Sequence, residues 1–147
     1  DFTGKVVVIG GYPKSGKTYL TNLLKPKYPA ASFICSDDFM EHGFKESLYK
    51  MMDYIKTIKS HTVFIEGGMY ARLLRKGAEL DTFYPDVVIE MVRDDDEIIK
   101  EYIEQGEDYK VNNYHSFCKN IQTVLNSYLN NNIKKEPEWI TVYNDFI

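Results

Sequence analysis

The sequence predicts a three-layer α/β fold, with a central five-stranded parallel sheet flanked by helices. Two patterns point to it. Short β-branched or aromatic runs alternate with longer stretches whose apolar residues recur at helical spacing, the order expected of βαβ units. Each run also stops at a polar or glycine-containing cluster, and sheets of this kind bind ligands at the carboxyl ends of their strands. The 147 residues, 1–147, fit one domain.

The elements follow in chain order. Residues 5–10, Lys-Val-Val-Val-Ile-Gly, form a continuous run suited to a strand buried on both faces. Gly10-Gly11 breaks it, and residues 17–24 read as a helix that Pro26 and Pro29 terminate. Residues 32–35 form a second strand, halted by Ser36-Asp37-Asp38. Phe44, Leu48, Met51, Met52, Ile55 and Ile58 make the core stripe of a second helix. Residues 62–65 give a third strand that ends at Glu66-Gly67-Gly68, and a short helix covers residues 71–76. Residues 86–92 are a fourth strand, followed by a charged helix over 94–104. Tyr114, Phe117, Cys118, Ile121, Val124, Leu125 and Tyr128 line another helix, with Asn112 or Asn113 as its expected cap. The asparagines at 130–132 end it, and residues 139–143 are the fifth strand.

Composition narrows the function classes. Hydrophobic residues are 44% and charged residues 27%, so disorder is not expected. No apolar run approaches the roughly 20 residues of a membrane span. Net charge is −4, with Arg72, Arg75 and Arg93 as the arginines, which argues against a broad basic field for coating nucleic acid. A local basic groove stays compatible with that charge. Cys35 and Cys118 are too few for a disulfide framework or a zinc site. Both fall in apolar patterns and read as buried thiols, as expected in a reducing cytosol.

The segment from Gly11 to Thr18 carries the chemistry. Gly-Tyr-Pro-Lys-Ser-Gly-Lys-Thr matches G-x-x-x-x-G-K-[ST] without a gap, between a strand and a helix. Gly11 and Gly16 let the backbone wrap a phosphate and turn its N–H groups inward. The helix N-terminus adds partial positive charge. Lys17 is expected on the β- and γ-phosphates of ATP, and the Thr18 hydroxyl on Mg²⁺. Lys14, Ser15 and Tyr19 complete the expected nucleotide-binding set, although solvated side chains are the ordinary outcome for Lys14 and Ser15. A guanine-binding N-K-x-D signature is absent, and the chain is too short for the added elements of motor or helicase ATPases.

This loop, followed by Ser36-Asp37-Asp38-Phe39 at the end of the second strand, resembles the small P-loop kinases. The similarity runs from residue 1 to about residue 105. Bacteriophage polynucleotide 5′-hydroxyl kinases and phage kinases of hydroxymethyluracil in DNA are the relatives it brings closest. The resemblance implies the P-loop NTPase fold of the nucleotide-kinase type, Asp37 as general base for an acceptor hydroxyl on DNA or a nucleotide, and the cytoplasm, a host's if viral, as compartment. Position supports the Asp37 role, since strand two is expected to flank the sheet centre with its tip facing the γ-phosphate. Asp38 then serves as cap or support, and a plain turn role for both acids is the alternative. Glu66 ends its strand as a Mg²⁺-holding acid does, or is simply solvated. Gly67-Gly68 permits close backbone approach by an acceptor. Arg72, Arg75 and Lys76 share one helical side and suit a phosphate, the alternative being a solvated face.

Two departures from the resemblance matter. Residues 94–107 contain no arginine, and Glu101 and Gln105 stand where the phage kinases place clamp arginines. Met40 stands where an arginine for an acceptor phosphate is expected. The clamp must then come from Arg72, Arg75 or Arg93, or lid closure is weak, or catalysis is lost. Three functions remain open: a nucleic-acid kinase, a kinase of a free nucleoside, nucleotide or other small molecule, and a catalytically weak nucleotide-binding regulator.

Overall fold

The computed structural model describes residues 1–58, 61–131 and 133–145, apart from the side chains of residues 40–42 and 44. The expectation placed on Met40, and the share of Phe44 in the apolar stripe, lie outside the described residues. The strands are β1 (Val6–Gly11), β2 (Ser32–Cys35), β3 (Val63–Glu66), β4 (Val87–Val92) and β5 (Glu138–Tyr143). They pair in parallel in the order β2-β3-β1-β4-β5. The five-stranded parallel sheet is as the sequence predicts, with helices on both faces.

Continuous apolarity puts β1 at the centre. Val7, Val8 and Ile9 are fully buried because successive side chains enter different cores. Val8 meets Val63, Ile65 and Val88 under α2 (Phe44–Thr57), α3 (Tyr70–Glu79) and α5 (Val111–Leu129). Val7 and Ile9 meet Phe64, Val87, Ile89 and Met91, with Leu24 of α1 (Lys17–Leu24), on the opposite face. Each such side chain contributes about 1.5–3 kcal/mol of apolar burial.

Strand two does not flank the centre. It is an edge strand, hydrogen-bonded to β3 alone among the described strands, with Cys35 opposite Glu66. Its four residues and half-buried side chains suit an edge, whereas the uninterrupted valines of β1 require two neighbours.

Helix boundaries differ for local reasons. Helix α3 runs past the expected residue 76, because Gly77 is a packing site rather than a stop: a Cβ there would lie 2.7 Å from Phe83 Cβ. Helix α4 (Asp95–Glu104) is capped by Asp94, whose carboxylate accepts from the Asp96 N–H at 2.8 Å. Neither Asn112 nor Asn113 caps α5, which grows directly out of a 3₁₀ turn at Asp108–Lys110. Ile58 lies just past α2 yet packs on the same core. The two cysteines are free and half-buried, not fully buried as expected: Cys35 ends the edge strand β2, and Cys118 lies within α5 at the margin of a small cluster of Ile98, Tyr102 and Tyr114. Among the described residues no helix is long and apolar enough to cross a membrane.

Candidate functional site

Strand β1 delivers the chain into the loop at Gly11, and α1 takes it up at Lys17. Gly11 has φ 147°, and a Cβ there would lie 2.5 Å from Ser15 Oγ and 2.6 Å from the Met91 carbonyl. Gly16, at φ 108°, is the N-cap of α1, and a Cβ would collide with the Asn144 amide. Lys14 also takes a left-handed conformation, φ 62°, uncommon for a residue with a side chain. The loop is therefore bent by its glycines and held in that bend by neighbours.

Three tethers hold it. Lys17 Nζ donates to the carbonyls of Gly11 and Tyr12 at 3.0 and 2.9 Å. Asn144, just past β5, donates its side-chain amide to the Ser15 carbonyl at 2.9 Å, while its own N–H bonds the Val92 carbonyl. Arg93, just past β4, donates to the Lys14 carbonyl at 3.0 Å. Asn144 was invisible in the sequence: it lies 129 positions from Ser15, and no local pattern marks it.

Electrostatics bring the predicted acids to Lys17. Burial pulls the Lys17 ammonium below its ordinary value, and the charges of Glu66 and Asp37 oppose that pull. Asp37 and Asp38 are exposed in the 3₁₀ turn Ser36–His42, and Glu66 is half-buried at the tip of β3. An amine facing two carboxylates at the mouth of an N–H-lined loop suits the phosphates of a nucleotide with a divalent cation. Thr18 and Glu66 are the residues that would hold that cation. Thr18 and Tyr19 are exposed on the first turn of α1, and both line a cleft of about 230 Å³ with Lys14, Gly16, Lys17, Arg93 and Glu101.

Both cysteines border this group. Burial, with the Glu66 and Asp37 charges, pushes the Cys35 thiol up to about 11. Cys118 is also raised, mainly by burial, with Lys17 acting against it.

Ser15 and Lys14 are not solvated. Ser15 is 1% exposed. Lys14 donates to Gln105 at 2.9 Å, pairs with Glu101 at 3.4 Å, and lies 4.8 Å above the Tyr102 ring. Glu101 also pairs with Arg93 at 3.5 Å, and Glu97 lies 3.8 Å from Arg93 Nε. So Glu101 and Gln105 engage the cations of the loop instead of supplying a clamp. Tyr114 is a core residue, donating to Asp95 at 2.5 Å.

The Arg72, Arg75 and Lys76 cluster divides. Arg72 donates to Asn120 of α5 at 3.0 Å and lines a cavity of about 280 Å³ with Gly68, Asn113, Ser116 and Phe117. Arg75 is half-buried, and its Nε makes no hydrogen bond among the described residues. Lys76 pairs with Glu79 at 3.3 Å on the helix surface.

By sequence, no family profile matches this chain, and no curated protein matches it. Solved structures do resemble it. Shikimate kinase from Acinetobacter baumannii superposes with a TM-score of 0.61 at 11% identity, over 98% of this chain and 86% of that one. Thymidylate kinase from Candida albicans gives 0.58 at 15% identity, over 97% and 85%. An uncharacterised protein from Eubacterium ventriosum gives 0.59 at 15% identity, over 95% and 88%. These neighbours do not single out the polynucleotide kinases of phages. The strand order, the loop between β1 and α1, and these superpositions give one conclusion: the chain has the P-loop fold in its nucleotide-kinase form.

Proposed function

We propose that this protein is a kinase that moves the γ-phosphate of ATP to a hydroxyl of a small molecule or nucleotide. The observation that carries the reading is Lys17, fixed over the loop carbonyls with Glu66 and Asp37 in electrostatic reach. Its ammonium lies on two backbone oxygens, a place from which it would turn to the β- and γ-phosphate oxygens of ATP. The N–H groups of the loop and of the first turn of α1 take the remaining phosphate charge. Thr18 and Glu66 would hold Mg²⁺, which would supply neutralisation of phosphate charge.

Asp37 accepts the proton of the acceptor hydroxyl as its oxygen attacks the γ-phosphorus. The bond from that phosphorus to the β,γ-bridging oxygen breaks, ADP leaves, and Asp37 returns the proton to water. Arg72 and Arg75 act from the acceptor side on the charge of the transferring group.

A small acceptor is favoured by shape and charge. The cavity of about 280 Å³ beside Gly68 and Arg72 takes a compact molecule, and a chain of net charge −4 offers no extended basic track for a polynucleotide. Transfer of label from γ-labelled ATP tests this. Label is expected on a member of a panel of nucleosides, nucleotides and hydroxy acids. Label on DNA 5′ ends or modified bases alone would restore the nucleic-acid reading, and no transfer anywhere would leave a nucleotide-binding regulator.

A further inference from the structure

Glu90 is out of place for a central sheet. It sits in the middle of β4, between Gly10 of β1 and Thr141 of β5, on the face that carries α3 and α5. Burial moves its carboxyl upward, and among the described residues no cation offsets it and no hydrogen bond reaches it. A half-buried acid without a partner costs stability, and strand propensity does not call for glutamate there.

Space lies over it because α5 packs chiefly against α3 and leaves the β4–β5 half less covered. One cavity, of about 280 Å³, is bounded by Tyr12, Ser15, Tyr70, Glu90, Arg93 and Gln122. A second, of about 470 Å³, shares Glu90, Gln122 and Leu125 with the first and reaches Tyr128 and Trp139. Ser15 Oγ in the first and Tyr128 Oη in the second are buried with no hydrogen-bond partner among the described residues. Both residues are 1% exposed. Polar groups on the loop and on α5 thus lack protein partners beside two adjoining cavities, which is unusual in a folded interior. The cleft lined by Lys17, Thr18 and Tyr19 lies on the other side of the loop and shares Arg93 with the first cavity.

The chemistry defines the ligand. Aromatic rings form part of the walls, with Asp95 at the rim of the first cavity already bound by Tyr114 and Glu136 on the second; Glu90 is the acid common to both, and the Ser15 and Tyr128 hydroxyls offer donors. A carboxyl group, ionised or protonated, pairs with the edge of an aminopyridine or aminopyrimidine ring, where an N–H adjoins a ring nitrogen. We propose that the space between β4 and α5 is a second ligand site, built for a small planar amino-heterocycle of nucleobase type whose amine edge meets Glu90. The site does not depend on the kinase reading.

Trp139 is the single tryptophan and lines the second cavity, so its fluorescence reports binding directly. The full chain is titrated with 2-aminopyridine, cytosine and adenine, and with toluene as a ring without an amine. A saturable change with at least one amine probe and none with toluene is expected. Glu90→Leu is expected to weaken that probe about tenfold or more, the loss of a charge-assisted hydrogen-bonded pair, while Lys17→Ala leaves it unchanged. Thermal melts check that both variants fold. If Glu90→Leu does not fold, amide chemical shifts of the wild type decide: changes at residues 90, 122 and 139 support the site, and changes centred on residues 16–19 without them overturn it. Equal response to toluene, loss of binding in Lys17→Ala, or no saturable response to any probe would also overturn it.

Discussion

The two walls of the cleft at the glycine loop are built on opposite principles. On the loop wall every strong group already has a fixed place: Lys17 on two carbonyls, Asn144 on the Ser15 carbonyl, Arg93 on the Lys14 carbonyl. On the wall formed by α4 the groups are acids, and they draw on the same cations the loop would present to a phosphate. Binding geometry is therefore preorganised on one side, while the other side competes with the nucleotide for Lys14 and Arg93. Charge on the transferring group must be met from the acceptor side or by rearrangement of α4.

The largest change expected from breaking this arrangement lies at the acceptor. Asp37→Asn should lower kcat by about 10²–10⁴-fold and leave ATP affinity nearly intact, because it removes a proton acceptor without touching the cradle. Steady-state kinetics beside Asp38→Asn check the choice, and a larger loss in Asp38→Asn would reassign the base.

Next come the arginines of α3. Arg72→Ala or Arg75→Ala should lower kcat by about 10²-fold, the range for removing one preorganised donor. Arg93→Ala should act mainly on ATP affinity through the Lys14 carbonyl it holds. Unchanged kcat in both α3 variants would shift the missing charge to Lys14, freed from Glu101.

The α4 wall predicts a smaller effect with the opposite sign. Glu101→Gln should tighten ATP binding about two- to fivefold, the scale of about 0.2–1 kcal/mol for partly exposed ion pairs. Calorimetric titration reads it, and weaker binding would show that Glu101 supports the bound state instead of competing with it.

How much of this was legible follows from distance along the chain. Residues 6–18 hold strand, loop and helix start within one contiguous segment, so the cradle and its glycines could be read directly. The sheet order could not, because a four-residue edge strand and an internal one look alike until their partners are known. That is why β2 was expected beside the centre. Ser15 reads as a solvated loop hydroxyl, and its burial depends on distant Asn144 and Met91. Glu101 and Gln105 were visible as departures from a clamp, but their pairing with Lys14 required the fold.

The smallest predicted effect concerns Glu90, beneath the loop wall. Its folded carboxyl titrates above the ordinary value, so the fold favours the neutral form. That preference stabilises the protein below the unfolded value of about 4.3 and is lost as pH rises through the folded value. Glu90→Gln should therefore raise Tm relative to wild type at about pH 8, with the difference vanishing near pH 4. Thermal melts at the two pH values check the sign.

Phosphate binding by the loop is tested most directly by calorimetric titration of ATP with Mg²⁺ into wild type and Lys17→Ala. Wild type should bind saturably, and Lys17→Ala should bind at least about tenfold more weakly while melting normally, since no other side chain reaches the β- and γ-oxygens from that position. Equal affinity in the two proteins, or no binding by wild type, would contradict it.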